Sequence, residues 1–178
     1  SIHEALAHTA AVPGRFERVD AGQPFAVVVD YAHTPDALLN LLQSARKMKP
    51  ARVITVFGCG GDRDRSKRPH MAEAAASLSD FVVLTSDNPR SEAPLDIMND
   101  ALVGLQRFNT PRLLEVDRAE AIRRAIRMAD AGDIVLIAGK GHETHQIFAD
   151  HTTHFDDREA ALAALRDRGF PTPPGEGS

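Results

Sequence analysis

Four short stretches of this sequence carry residue types that bind charged small molecules. Asp30-Tyr31-Ala32-His33 sets a carboxylate near an imidazole, suited to a ribose hydroxyl and a phosphate, or to capping the helix that follows. Gly58-Cys59-Gly60-Gly61-Asp62-Arg63-Asp64 is a glycine-rich turn with Arg65, Lys67 and Arg68 close behind it. Its glycines can bring backbone N–H groups up to an anion, or simply make a tight turn. The basic residues form a dense cationic patch for a carboxylate or phosphate, or a solvated loop. Asp87-Asn88-Pro89-Arg90 joins a turn-forming Asn-Pro pair to a guanidinium that can grip a carboxylate with two parallel hydrogen bonds, and reads equally as an Asx turn beside a surface arginine. In Gly139-Lys140-Gly141-His142-Glu143, the glutamate and glycine carbonyls suit a substrate ammonium, with a charged β-turn as the alternative.

Other chemistries find little support. The glycines do not follow the G-x-G-x-x-G spacing, and no Lys-Ser/Thr pair completes a phosphate-binding loop. His142 and His145 are three residues apart, without the H-E-x-x-H helix, so no metal site is expected there. No nucleophile elbow or Ser/His/Asp order occurs, and Cys59 sits where a small residue suffices, so no covalent step is expected. His3, His8, His70, His151 and His154 have no recognisable spacing and read as ordinary surface or packing residues.

Short apolar runs alternate with helical patterns, the signature of a parallel sheet built from βαβ units. Strands are expected at Phe25–Val29, Arg52–Phe57, Phe81–Thr85, Leu113–Val116 and Asp133–Ala138, with Gln146–Phe148 as a sixth. Helices are expected from Pro35, behind a Thr34 cap, to about Met48, over Pro69–Leu78 and from about Pro94 to Phe108. Two more begin at Asp117 with Glu120, a pairing resembling a capping box, and at Asp156 with Glu159, ending near Met128 and Arg168. The fold predicted is a Rossmann-like three-layer α/β domain with a mostly parallel sheet of about six strands. Parallel strands end along one edge, where ligands bind at the topological switch point, so the four charged loops converge there.

Composition narrows the class further. A chain of 178 residues with 43% hydrophobic content fits one ordinary domain and excludes wholesale disorder. Its formal charge of -4 supplies no general field for nucleic acid, and a single Cys excludes an internal disulfide. No run approaches the ~20 apolar residues of a membrane span, so a cytoplasmic protein is expected. Ile2, Ala5 and Leu6 are spaced as the end of a helix that began earlier, which points to a piece of something longer. Residues 1–12 are therefore assigned to a preceding helix and linker, 13–168 to the domain, and the Pro- and Gly-rich 169–178 to a disordered tail.

Six stretches in order carry a family resemblance: VPGRFE at 12–17, DYAHTPDAL at 30–38, FGCGGDRDRSKRP at 57–69, TSDNPR at 85–90, DRAEAI at 117–122 and AGKGHE at 138–143. Over roughly residues 12–165 the chain resembles the C-terminal domain of the Mur ligases, specifically the MurE type of peptidoglycan biosynthesis. The resemblance implies an ATP-dependent ligase that activates the D-glutamate carboxylate of UDP-MurNAc-L-Ala-D-Glu as an acyl phosphate, which an amino acid amine then attacks. The intact Asp87-Asn88-Pro89-Arg90 implies meso-diaminopimelate as that amino acid. Arg63, Asn88 and Arg90 would hold its distal carboxylate, and Gly139 and Glu143 its distal amine, with Asp87 and Pro89 completing the motif. Lysine lacks that carboxylate and would leave the arginines unpaired, a discrimination of about 10⁴-fold or more.

By the same resemblance Arg15, Asp30 and His33 reach the nucleotide, Asp30 toward the ribose and Arg15 toward the phosphates. Arg65-Ser66 stands where the family often has Lys-Gly, and Ser86 where it often has a second Asp, changes that bear on affinity more than identity. The nucleotide-binding P-loop and the Mg2+ ligands belong to a central domain whose motifs are absent here. The chain is therefore expected to be inactive alone and to be monomeric, with no nucleic-acid or membrane partner. The competing readings are a stand-alone Rossmann-like binding or regulatory module, and a Mur ligase adding another amino acid. A nucleotide-dependent oxidoreductase is disfavoured by the missing dinucleotide fingerprint.

Overall fold

A computed structural model describes residues 14–171. The helix end expected before residue 12 and the tail from 172 lie outside the described residues. Within them the chain runs β1 (Glu17–Arg18), β2 (Ala26–Asp30), α1 (Pro35–Lys47), β3 (Val53–Cys59), a 3-10 turn (Arg65–Lys67), α2 (Arg68–Leu78) and β4 (Phe81–Ser86). It continues through α3 (Pro94–Leu105), β5 (Arg112–Leu114), α4 (Arg118–Met128), β6 (Ile134–Ala138), β7 (His145–Ile147), β8 (Thr152–His154) and α5 (Asp157–Asp167). No described helix is long and apolar enough to cross a membrane.

The main sheet has the order β1-β2-β6-β3-β4-β5 and is parallel except where β1 meets β2. Central strands are apolar on both faces because helices cover both. Val28, Phe57 and Leu136 pack toward α1, α2 and α3, meeting Leu42, Ala72 and Ala101. Val27, Val56 and Ile137 face the other way, toward Ile122 and Ile126 of α4 and Leu165 of α5. The chain steps outward from β3 to β4 to β5, then returns to lay β6 between β2 and β3. That reversal opens the crevice at the carboxyl ends of β2, β6, β3 and β4.

Thr34 caps α1 as its sequence indicates, its hydroxyl accepting from the Ala37 N–H at 3.2 Å. Three expectations need correction. Gln146–Phe148 does not add to the main sheet; β7 forms an antiparallel pair with β8, and the sheet's sixth strand is β1. The reason lies in its edge: Ile147 spends its N–H on the Asn88 side chain and its carbonyl on the Arg90 N–H, so β7 braces a loop. The capping box at α4 is half made. Asp117 accepts from the Glu120 N–H, but the Glu120 carboxylate pairs with Arg123 instead of returning to Asp117. Finally, the packed chain runs beyond 168: the Phe170 N–H donates to the Leu165 carbonyl at 3.0 Å, and its ring meets Phe25 edge-on at 5.9 Å.

Candidate amino-acid-binding cleft

The strand ends enclose a cleft of about 470 Å³. Tyr31, His33 and Thr34 reach it from beyond β2, Asp87, Asn88 and Arg90 from beyond β4, and Gly139 and Glu143 from beyond β6. The loop after β3 supplies Gly60, Arg63, Asp64 and Lys67, and α2 begins at its wall with Arg68.

Glycines in that loop serve the neighbouring loop. A Cβ on Gly61 would lie 1.7 Å from the Pro89 carbonyl oxygen, and one on Gly58 2.6 Å from that of Thr85. With no side chain in the way, the Gly61 N–H donates to the Asn88 carbonyl at 2.8 Å. The Arg90 guanidinium donates to the Gly61 carbonyl at 2.9 Å, and its backbone takes the left-handed φ of 51°. Both loops are thus locked as one unit before any ligand arrives.

Charge in the cleft is more sorted than the string of basic residues suggests. Arg65 pairs with Asp100 at 3.0 Å. Arg68, only 2% exposed, is held by Glu92 at 2.5 Å and Asp100 at 2.9 Å, and donates to the Gly60 carbonyl. The Arg65 hydrogen bond holds the Asp100 carboxyl below the ordinary carboxylate range, and the Arg68 hydrogen bond does the same for Glu92. Half of the dense cationic patch, Arg65 and Arg68, is therefore neutralised within the protein. Arg63 is different: it is exposed, and its guanidinium meets the Asp62 carbonyl at 3.0 Å. Arg63, Lys67 and Arg90 remain to face an anion in the cleft.

Asn88 is 4% exposed, and its side-chain oxygen accepts from the Ile147 N–H at 3.0 Å and the Lys140 ammonium at 3.3 Å. That assignment leaves the amide NH2 as a donor for the cleft. Across from these donors, Glu143 is half-buried, with its backbone N–H fixed to the Lys140 carbonyl at 3.0 Å. Its carboxylate makes no hydrogen bond among the described residues and is available to a cation. Asp87 adds a second carboxylate at the wall beside Gly139, where a Cβ would lie 2.6 Å from the carboxylate, so only a glycine lets the two approach.

A family model described as "Mur ligase, glutamate ligase domain" matches residues 14–141. This chain belongs to the Mur ligase family. It is 63% identical over 169 residues to the UDP-N-acetylmuramoyl-L-alanyl-D-glutamate--2,6-diaminopimelate ligase of Solibacter usitatus, covering 95% of this chain and 34% of that protein. The enzyme of the same name from Syntrophomonas wolfei is 56% identical over 168 residues, covering 94% of this chain and again 34% of the relative. A solved structure of a ligase of that name superposes with a TM-score of 0.83 at 42% identity, over 90% of this chain and 33% of the other. The chain thus spans about a third of the length of the relatives it matches.

In this Mur ligase domain the residues singled out for the amino acid gather in one cleft: Arg63, Asp87, Asn88, Arg90, Gly139 and Glu143 all line it. Pro89 lies outside that lining and acts through its carbonyl, packed on Gly61. The residues assigned to a nucleotide divide. His33 lines the cleft, exposed, with its ring 4.5 Å from Tyr31. Arg15 lies over the Tyr31 ring at 5.6 Å. Asp30 turns inward instead: one carboxylate oxygen accepts from the Phe16 N–H at 2.7 Å and the other from the Ala32 N–H at 2.8 Å. It caps neither helix nor open space, and a ribose would have to share an oxygen already in use.

Two residues beneath the rim escaped sequence reasoning. Arg118 is 1% exposed and makes a two-pronged pair with Asp157 at 2.8 Å, while donating to the carbonyls of Ser86 at 2.8 Å and Ala138 at 3.2 Å. Burial opposes its charge, and Asp157 outweighs that penalty. Its signal was present in DRAEAI, where an arginine follows the cap of a helix whose next turn is buried. Lys140 is fully buried between two glycines, in a loop whose sequence suits a substrate ammonium or, alternatively, a charged β-turn, and gives the lysine itself no role.

Cys59 is buried, and burial, with Asp87 adding to it, pushes its thiol up to about 12. A thiol held protonated is a poor nucleophile. Iodoacetamide at neutral pH is therefore expected to leave Cys59 unmodified in native protein and to alkylate it once urea unfolds the chain, as read by intact mass.

Proposed function

We propose that this chain is the amino-acid-binding domain of an ATP-dependent ligase that adds meso-diaminopimelate to UDP-MurNAc-L-Ala-D-Glu in the cytoplasm. The observation that carries the reading is one cleft with Arg63, Arg90 and the Asn88 amide beside Glu143 and Asp87. A free zwitterionic end needs cationic donors next to an acidic acceptor, and the distal end of diaminopimelate is such a group. The relatives' name points the same way.

In this reading Arg90 and Arg63 take the distal carboxylate, Asn88 adds a hydrogen bond, and Glu143 with the Gly139 carbonyl takes the distal amine. Arg15 and His33, both beside the Tyr31 ring, take the nucleotide in this reading, while Asp30 acts first as a brace for the backbone at residues 16 and 32. ATP supplies the phosphoryl group that activates the acceptor carboxylate. Mg2+ ligands are assigned to the part of the ligase beyond this domain. The domain itself contributes position: it holds the amine so that its attack becomes effectively intramolecular when the cleft closes.

The test is a chemical-shift titration of 15N-labelled chain with meso-diaminopimelate and with L-lysine. Perturbations at Arg63, Asn88, Arg90 and Glu143 are expected with the first ligand alone. An equal response to lysine would remove the diaminopimelate assignment.

A further inference from the structure

Lys140 is completely buried, yet it belongs to the loop that carries Glu143. Its ammonium donates to the His145 carbonyl at 2.5 Å and to the Asn88 side-chain oxygen at 3.3 Å. The same oxygen accepts from the Ile147 N–H at 3.0 Å. An asparagine amide can flip at little intrinsic cost, exchanging acceptor for donor. Here a flip would set its NH2 against an ammonium and a backbone N–H together, donor against donor.

We infer that Lys140 is a positioning residue for amino-acid selection, fixing the Asn88 amide with its NH2 turned to the cleft. This rests on the reading of the cleft as a diaminopimelate site, in which that NH2 serves the distal carboxylate. The backbone of Lys140 meanwhile accepts from the Glu143 N–H at 3.0 Å, so one residue spans both halves of the zwitterion site. Removing only the side-chain ammonium separates the two roles. Burial already pulls the ammonium below the ordinary lysine range, so the site bears a desolvation cost that a neutral side chain would relieve. Lys140→Met, of similar length and apolar, is accordingly expected to fold.

The experiment uses 15N-labelled wild type, Lys140→Met, Asn88→Ala and the double variant. In Lys140→Met the Asn88 side-chain NH2 pair should shift and exchange faster with water, while backbone peaks distant from the cleft stay in place. Affinity for meso-diaminopimelate should fall about tenfold, the scale of one charge-assisted hydrogen bond, while that for L-lysine stays put. On the Asn88→Ala background the same substitution should add nothing. An unchanged Asn88 pair, equal losses for both ligands, or a full effect persisting without Asn88 would each overturn the inference.

Two safeguards keep the result readable. If wild type binds neither amino acid, the functional reading fails, and the Asn88 resonances still decide the role of Lys140. Should Lys140→Met not fold, wild type still tests the premise: a strong NOE between the Asn88 NH2 protons and the Ile147 amide proton would show the amide facing the other way and overturn the inference.

Discussion

Replacing Arg118 by Met is expected to destabilise the protein by about 3–5 kcal/mol, the largest loss anticipated for a single side chain away from the cleft. Arg118 and Asp157 are both fully buried in their side chains, so removing the guanidinium strands a carboxylate in a site with no water to solvate it. The loss does not stop at the pair. Arg118 also donates to the carbonyls of Ser86 and Ala138, the last residues of β4 and β6. Those strands are separated by β3, so one guanidinium ties together two strand ends that share no backbone hydrogen bonds. The loops carrying Asn88 and Glu143 leave from those two ends.

Urea denaturation should show a lower midpoint, and melting should fall by roughly 10 °C for a domain of this size. Arg118→Met combined with Asp157→Leu should recover much of the loss, because no buried charge is then left alone. A single variant within about 1 kcal/mol of wild type would mean that water reaches Asp157. It would also mean that the clamp contributes little.

What the sequence disclosed follows the range of the interactions involved. The strands were legible because a parallel sheet covered on both faces demands unbroken apolar runs, as in Val27-Val28-Val29 and Ile134-Val135-Leu136-Ile137. The Thr34-Pro35 start of α1 was legible because a cap is a local contact. The four loops were legible as a group because a parallel sheet must deliver its strand ends to one rim. Contacts decided by distant partners were not. Nothing near Arg65 and Arg68 announces that Glu92 and Asp100 will neutralise them. Gly61 could have served an anion or a neighbouring loop, and only the position of Pro89 decides. The strand at 145–147 has ordinary strand composition, but its edge is taken by Asn88 and Arg90 before any sheet can claim it. Lys140 shows the limit most plainly, since a lysine between glycines is exposed in most settings and here is buried with its ammonium on the Asn88 side chain, 52 positions away.

Arg90→Ala is expected to weaken meso-diaminopimelate binding by about 100-fold, the scale of losing a paired, charge-assisted contact to a carboxylate. L-Lysine, which has no distal carboxylate, should bind the variant and the wild type equally weakly, so the preference between the two ligands narrows by the same factor of about 100. Arg90→Lys should fall in between, because an ammonium keeps the charge but cannot present two parallel N–H groups to one carboxylate. The structural part of the residue can be separated from this recognition. Arg90 also donates to the Gly61 carbonyl, joining its own loop to the glycine loop, and its backbone adopts a left-handed conformation that costs a side chain something to hold. Were that brace its main contribution, Arg90→Ala would loosen the whole cleft, lowering affinity for both ligands together and shifting the Gly60 and Gly61 amides without any ligand present. Recognition predicts the opposite pattern, with a selective loss confined to the ligand that carries the second carboxylate. Calorimetric titration of both amino acids against the three proteins separates the outcomes, and a parallel loss would transfer the distal carboxylate from the half-buried Arg90 to Arg63 and Lys67, the exposed cations of the cleft.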